Sequence, residues 1–255
     1  MQISGELGVV TVDGQFGRHI DSIVETIVFN GGIKFITAKG GFVFSSIDQE
    51  LHELGAAYFF RDQRTVLDAL NEILPPCDIV HYFWEGDLYV QFRKSYSTDL
   101  FDLELKPEGV SNLEFGNNSS RIHKLTVFYN RNWTVQESIQ EYKNEYSDIE
   151  REDLSIMYAD YPENEILSGS IDRELRTALT TSAGANNVLN RVFERESREN
   201  RNASFKYQNK FGQILPNQRL RLPESMAPPG MFLSERVLIS SDQRTQFVQG
   251  TFYHE

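Results

Sequence analysis

The stretch FDLELKPEG, residues 101–109, holds residue types that could support metal chemistry. If it forms a strand, Asp102, Glu104 and Lys106 point to one side and the intervening apolar residues to the other, because side chains alternate along a strand. Two carboxylates and a lysine on one face can bind a divalent cation and a water molecule. The same pattern is typical of the solvated face of a half-buried sheet. Both interpretations are open from the sequence.

The metal interpretation resembles the PD-(D/E)xK nuclease superfamily, in which an Asp precedes a strand carrying an acidic residue, any residue and a lysine. The matching positions are Asp87, Glu104 and Lys106, with Glu72 on a preceding helix. The resemblance implies that Asp87 and Glu104 hold Mg²⁺ and that Lys106 positions the attacking water or helps to deprotonate it. The match covers a short part of the chain, and Gly86 stands where the family has a proline.

The other residue types that could do chemistry form no catalytic pattern in the sequence. The five histidines are scattered without the short spacings of a metal site: His19, His52, His81, His123 and His254. Cys77 is the single cysteine, so no internal disulfide can form, and we expect it to be a small buried hydrophobe. We therefore expect a protein that is not an enzyme and has no cofactor, with the Mg²⁺-dependent nuclease as the alternative.

Charge is unevenly spread along the chain, whose net charge is −12. Residues 171–255 carry twelve Lys and Arg against nine Asp and Glu, a net +3, so the remaining residues carry −15. Residues 191–221 hold eight basic and three acidic side chains. The acidic body would repel a nucleic-acid backbone, so nucleic acid is not an expected partner. The basic end is either solvated surface or lies on an acidic body, its own or a neighbour's.

The sequence contains no run of roughly 18 apolar residues, which is the length that would indicate a membrane span. The N-terminal residues MQISGELGVV have neither the basic start nor the apolar centre of a secretory signal. We expect a protein that stays in the cytoplasm or is assembled there into a particle.

The pattern of turns and apolar residues predicts an α+β fold. Residues 9–44 are typical of an antiparallel β-meander, because β-branched runs alternate with glycine turns. A helix is predicted to begin after Thr65, which can cap it with Asp68 reaching back, and to end at Pro75. A hairpin of aromatic strands is predicted over residues 79–94.

Composition shifts predict three regions in this chain. They are a β-rich α+β domain over 1–116, a smaller α+β unit over 117–170, and a helical segment with an extended C-terminal arm over 171–255. Beyond Asn200 the periodicity fades and prolines rule out long helices. The arm is nevertheless too apolar for free disorder, so we expect it to dock on its own body or on the next subunit.

These features favour a non-enzymatic structural or assembly protein, one that forms a homo-oligomer or a component of a larger particle such as a virion or phage. Its partners would be further copies of itself or other protein subunits. The predicted contact residues are arginines and aromatics of the basic end: Arg198, Arg201, Phe205, Tyr207, Phe211, Arg219 and Arg221. Two alternatives remain, the nuclease and an acidic inhibitor or immunity-type module that masks a basic enzyme.

Overall fold

The structure is a computed structural model, which describes residues 2–7, 11–12, 15–16, 18–21, 23–24, 27, 42–44, 51, 54–84, 87–97, 99–119, 121–131, 146–153 and 170–254. Two compact units divide the chain. Unit 1 comprises Met1–Arg93, Leu125–Arg151 and Arg173–Arg191. Unit 2 comprises Lys94–Lys124, Glu152–Asp172 and Val192–Glu255. Each unit is built from three stretches, whereas the predicted domains are contiguous, so their boundaries stay a prediction.

Strands and helices are mixed along the chain, which confirms the α+β class. The strands are β1 Gln2–Leu7, β2 Thr11–Val12, β3 Gln15–Phe16, β4 Arg18–His19, β5 Phe42–Phe44, β6 Gly55–Ala56, β7 Tyr58–Thr65, β8 Ile79–Trp84, β9 Asp87–Phe92, β10 Leu103–Glu104, β11 Val110–Ser119, β12 Arg121–Tyr129, β13 Ser147–Glu152, β14 Ser170–Arg176, β15 Asn200–Gln208, β16 Arg219–Arg221, β17 Gly230–Ile239 and β18 Thr245–His254. The α-helices whose bounds the structure describes are α1 Val66–Ile73 and α2 Ser182–Glu196. Within the described ranges, no helix is both long enough and apolar enough to cross a membrane.

Helix α1 and the hairpin that follows it form as the sequence predicts. Thr65 caps the helix by accepting a hydrogen bond from the Asp68 N–H at 3.1 Å, and its hydroxyl donates to the Asp68 carboxylate at 2.6 Å. A 3-10 turn over Pro75–Cys77 then ends the helical run. Strands β8 and β9 pair antiparallel from Ile79–Phe92 to Trp84–Asp87, which confirms the hairpin.

The predicted β-meander over residues 9–44 is present only in part. Strands β2 and β3 pair antiparallel, whereas β5 pairs parallel with β9 rather than within a meander. Within the same range, four described residues are instead helical and fully buried: Ile20, Ile23, Val24 and Ile27. Their spacing is that of one helix face, although all four side chains are β-branched and favour strands. Residues 28–41 lie outside the described residues.

The predicted smaller α+β unit over 117–170 is described only in part. Strand β12 stands between β13 and β14 in a three-stranded sheet. Residues 132–145 and 154–169 of this unit lie outside the described residues.

Unit 2 is built around a six-stranded sheet in the order β10-β16-β17-β18-β15-β11. All neighbours are antiparallel except β10 and β16. Buried apolar side chains cover one face of this sheet: Leu105, Val110, Ala203, Phe205, Tyr207, Ile214, Leu220, Leu222, Ala227, Phe232, Val248 and Phe252. A smaller cluster of Met231, Leu233 and Tyr253 packs with Tyr96 and Phe101.

The region predicted as an extended C-terminal arm supplies four of these six strands, β15 to β18. Prolines between the strands do rule out long helices, as predicted, but the segments between them pair with each other. The reason is visible in β15, where buried Ala203, Phe205 and Tyr207 alternate with more exposed residues at the period of a strand. The helical segment predicted to precede them is present in part, as α2, whereas its first residues form strand β14.

Two buried polar side chains fix the loop that leads into β16. Gln246 is fully buried; its side-chain oxygen accepts from the Ile214 N–H at 3.0 Å, and its side-chain nitrogen donates to the Ile214 carbonyl oxygen at 3.1 Å. The Ser234 hydroxyl donates to the Leu215 carbonyl at 2.6 Å and accepts from the Gln218 N–H at 2.9 Å. These bonds satisfy the buried backbone of the loop and hold β16 against β17.

Candidate functional site

The stretch 101–109, in which the sequence suggested metal chemistry, is held in unit 2 against the C-terminal strand β16. Strand β10 pairs parallel with β16, with Leu103 opposite Leu220 and Glu104 opposite Arg221. The pairing extends past the strand ends, because the Asp102 N–H donates to the Arg219 carbonyl at 2.8 Å and the Leu105 N–H donates to the Arg221 carbonyl at 3.0 Å. Two segments far apart in sequence therefore form one charged strand pair.

The acidic side chains of this strand pair are engaged by cations. The Asp102 carboxylate accepts from the Arg219 N–H at 2.8 Å and lies 3.7 Å from both Lys94 Nζ and Arg219 Nε. Glu104 accepts from Arg221 Nη1 at 3.1 Å. Charge-assisted bonds of this kind compensate a carboxylate. The arrangement can position strands and neutralise charge, and it leaves these carboxylates less available to a cation.

The residues of the nuclease interpretation belong partly to unit 1 and partly to unit 2. Glu104 and Lys106 belong to unit 2, where Lys106 Nζ lies 5.9 Å from the centre of the Phe211 ring. Asp87 begins β9 in unit 1, and its side chain lies outside the described residues. Glu72, on α1, accepts a hydrogen bond from the Tyr58 hydroxyl at 2.5 Å. In the part of the chain that the structure describes, no three acidic, His or Cys side chains converge to hold a metal.

Three arginines of the basic end lie over aromatic rings of unit 2. The distances from the guanidinium carbon to the ring centre are 3.8 Å for Arg198 and Tyr96, 3.9 Å for Arg201 and Phe115, and 4.4 Å for Arg221 and Phe101. Such cation–π contacts are attractive and cover the ring with the flat guanidinium. The sequence indicated the arginines, but the rings come from residues 96–115, which it did not connect with them.

The predicted contact residues thus divide into two groups. Phe205 and Tyr207 are fully buried in the core of unit 2, and their predicted contact with another subunit stays a prediction. Burial raises the pKa of the Tyr207 hydroxyl above its ordinary value. Phe211 is partly buried against the same core. The arginines lie at the surface or partly exposed, and their role in a contact stays a prediction.

A pocket of about 150 Å³ opens beside the charged strand pair. Its lining consists of Phe101, Arg221, Leu222, Glu224, Pro228, Pro229 and Gly230. This pocket was not predicted, because the prolines that line it were interpreted only as residues that end helices. The signal that could have found it is the run Pro-Pro-Gly close to an acidic residue, which shapes a rigid, concave loop.

Burial shifts the pKa of two further residues that the sequence raised. Cys77 is fully buried, as predicted, and burial raises the pKa of its thiol to about 12, so it is not a nucleophile at neutral pH. His81 lies on β8, and burial lowers the pKa of its imidazole below the ordinary value, which keeps the ring neutral at pH 7.

The fold is similar to that of a solved tail protein. A tail protein from Neisseria meningitidis MC58 matches with a TM-score of 0.51 and 10% identity, over 97% of this chain and 70% of that chain. Two others match with TM-scores of 0.47: the prophage MuSo2 43 kDa tail protein from Shewanella oneidensis (14% identity; 95% of this chain, 69% of that chain) and the prophage tail protein gp18 from Listeria monocytogenes EGD-e (9% identity; 99% and 68%). Only the Neisseria protein has a TM-score above 0.5, and at 10% identity this likeness shows a shared fold. No protein-family model and no curated protein matches the chain.

Proposed function

We propose that the chain is a structural protein of a phage or prophage tail and that it assembles with other protein subunits. The observation that carries the proposal is the likeness to the Neisseria tail protein, which extends over 97% of the chain. A likeness of that extent covers both compact units and not only one common sheet. Because one fold can host several functions, the proposal also needs support from the chemistry of the site.

The charged strand pair supports a structural role. A metal-dependent nuclease needs carboxylate oxygens that are free to bind Mg²⁺. Here Glu104 is bonded to Arg221, and Asp102 is bonded to Arg219 and close to Lys94. These pairs connect two distant segments of one unit, which is what a rigid subunit of a particle requires. The acidic inhibitor-type alternative rests on net charge alone and stays a prediction.

The basic end docks, in this proposal, on acidic groups of its own chain. The pairs Arg219–Asp102 and Arg221–Glu104 support docking in cis. The subunits would associate in the cytoplasm into a particle, with further copies of the chain among the partners. Light scattering on a sizing column at low and high salt tests this part. Docking in cis predicts a mass that does not change with salt, whereas a basic end docked on a neighbour predicts an oligomer that loosens.

The function itself is tested in the particle. An epitope tag at the C-terminus, followed by induction of the source cells and density-gradient separation, should place the tagged chain in the fraction that contains tail structures. Deletion of the coding sequence should leave particles without complete tails, visible by negative-stain electron microscopy. A chain that stays in the non-particulate fraction, with normal tails formed in its absence, contradicts the proposal.

A further inference from the structure

The pocket beside the charged strand pair has rigid walls. The loop between β16 and β17 makes a tight turn, because the N–H groups of Met226 and Ala227 both donate to the Pro223 carbonyl, at 2.8 and 3.1 Å. The two prolines that follow have a fixed φ. Gly230 has a φ of 156°, and a Cβ atom there would lie 2.3 Å from the Tyr253 carbonyl oxygen, so only glycine allows this close approach. A ligand would enter a pocket whose backbone is already in place.

The two charged side chains that line this pocket differ in their partners. Arg221 Nη1 donates to the Glu104 carboxylate at 3.1 Å, and the guanidinium lies over the Phe101 ring at 4.4 Å. Glu224 is exposed, and within the described ranges its side chain forms neither an ion pair nor a hydrogen bond. The charge that lacks a counter-ion in the pocket is therefore the negative one.

The undescribed residues of unit 2 supply no such counter-ion. They are Thr98, Ser120, residues 154–169 and Glu255. None of them is a lysine or an arginine, whereas residues 154–169 contain three acidic side chains. Any of these residues that approached the pocket would leave its charge unchanged or make it more negative. A cationic side chain that pairs with Glu224 has to come from outside unit 2.

We propose that this pocket takes a lysine side chain of another protein subunit. The inference rests on the proposed function, which supplies the partner subunit. Leu222, Pro228 and Pro229 give the pocket apolar walls, against which the four-carbon stem of a lysine packs while its ammonium group pairs with Glu224. The volume of about 150 Å³ is ample for such a side chain, since one water molecule takes about 30 Å³ of liquid.

An arginine of the partner fits this pocket less well than a lysine. Guanidinium groups favour the flat face of an aromatic ring. The ring available in the lining is that of Phe101, and Arg221 of the same chain already lies over it. The ring also packs against the cluster of Met231, Leu233 and Tyr253. An ammonium group needs no aromatic face, because it is a compact charge that a single carboxylate can bind.

The surroundings of the pocket favour a protein over a free cation as the occupant. Leu100, which precedes the lining residue Phe101, is 62% exposed, and Met226, on the loop that forms the pocket, is 40% exposed. Large apolar side chains at the surface are stabilised when a partner covers them. A lysine anchored in the pocket would bring the partner's surface onto both of them.

The chemistry of the pocket is tested on the isolated full chain with three probes of equal length, n-butylammonium, n-butanol and n-butyrate. Amide chemical shifts of residues 221–230 report binding. Butylammonium should bind most tightly, and Glu224→Gln should weaken its binding about threefold to fivefold, the contribution of an exposed ion pair. Glu108→Gln, a change at an exposed carboxylate of the same unit outside the lining, should have no effect. Tighter binding of butyrate, or equal binding of butylammonium to the wild type and Glu224→Gln, overturns the inference.

The partner is tested in purified tail particles. A carbodiimide joins a carboxylate to an amine in contact with it, by forming an amide and taking up the water that is lost. Peptide mass spectrometry should find Glu224 joined to a lysine of a neighbouring subunit. The same link in the dilute isolated chain would be intramolecular and would overturn the inference, as would particles that contain the chain without any link at Glu224. Particles without the chain contradict the proposed function instead, and the probe titration does not depend on them.

Discussion

Carboxylates meet arginines in both units, but at different depths. In unit 1 the side chain of Asp78 is 3% exposed, and its oxygens lie 3.9 Å from Arg93 Nε and 3.7 Å from Arg191 Nε. Arg191 also donates to the Arg93 carbonyl at 2.7 Å and covers the Phe92 ring at 4.4 Å. Asp78 itself takes a positive φ of 59° at the end of the turn after α1, so this ion pair lies where α1, β8 and α2 are joined.

In unit 2 the corresponding groups lie in solvent. Glu104 and Arg221 are 69% and 45% exposed, and their contact at 3.1 Å is shorter than either contact of Asp78. Asp102 is intermediate, at 25% exposed. A shorter distance does not make the stronger pair, because water screens the exposed charges while the buried ones interact through a medium of lower dielectric. The burial of each ion pair, and not the distance between its atoms, therefore decides how much the free energy of unfolding falls when the carboxylate is removed.

The largest expected effect is at Asp78. Asp78→Asn keeps a residue that tolerates positive φ but removes the negative charge, which leaves Arg191 and Arg93 without their buried counter-ion. We expect the free energy of unfolding to fall by roughly 3 kcal/mol. Urea denaturation measures it, with Asp148→Asn, an exposed aspartate of the same unit, as the matched control.

Cys77 provides a local readout of the same change. The thiol is fully buried directly beside Asp78, and the pKa of about 12 keeps it protonated, so alkylation requires opening of the structure. A loss of 3 kcal/mol corresponds to labelling about a hundredfold faster. Labelling at the wild-type rate in Asp78→Asn would mean that Arg93 and Arg191 find other compensation, and the depth argument would then fail in unit 1.

The second-largest effect is expected at Asp102. Two variants there separate the contribution of a hydrogen bond to stability from the contribution of the negative charge. Asp102→Ala removes an acceptor for the Arg219 N–H at 2.8 Å and two ion pairs at 3.7 Å. We expect a loss of about 1–2 kcal/mol, because the backbone donor then has to bond to water at the sheet edge. Asp102→Asn keeps an acceptor and should recover about half of this loss. An equal loss in both variants, by urea denaturation, would assign the whole effect to charge.

Short-range patterns in the sequence predicted helix α1 and the β8–β9 hairpin of unit 1. Thr65 with Asp68 at the helix start and two prolines at its end fixed the bounds of α1. Alternating aromatics predicted the β8–β9 hairpin. Each of these signals acts within a few residues, where capping and turn chemistry compete with nothing else.

The missed features depend on contacts that no local pattern contains. Asp102 and Arg219 are 117 positions apart, so nothing near FDLELKPEG indicates that its carboxylates are paired. The supposed arm was misread for a related reason. Its period-two pattern in β15 was present, but a strand is stable only beside partners, and these come from β11 and β18. At Ile20 to Ile27 the helical spacing was visible, and β-branched composition was given too much weight.

The smallest effect is expected at Glu104, which belongs to the most exposed of the ion pairs compared here. A double-mutant cycle with Glu104→Ala and Arg221→Ala should give a coupling energy below about 1 kcal/mol, which decreases further in high salt. Arg221→Ala alone should cost more than Glu104→Ala, because its guanidinium also covers the Phe101 ring at 4.4 Å. Glu108→Ala, an exposed change in the same stretch, sets the baseline. A coupling energy above 2 kcal/mol, unaffected by salt, would show that the strand pair is shielded from water, as by a second subunit, and it would bring Glu104 back as a functional residue.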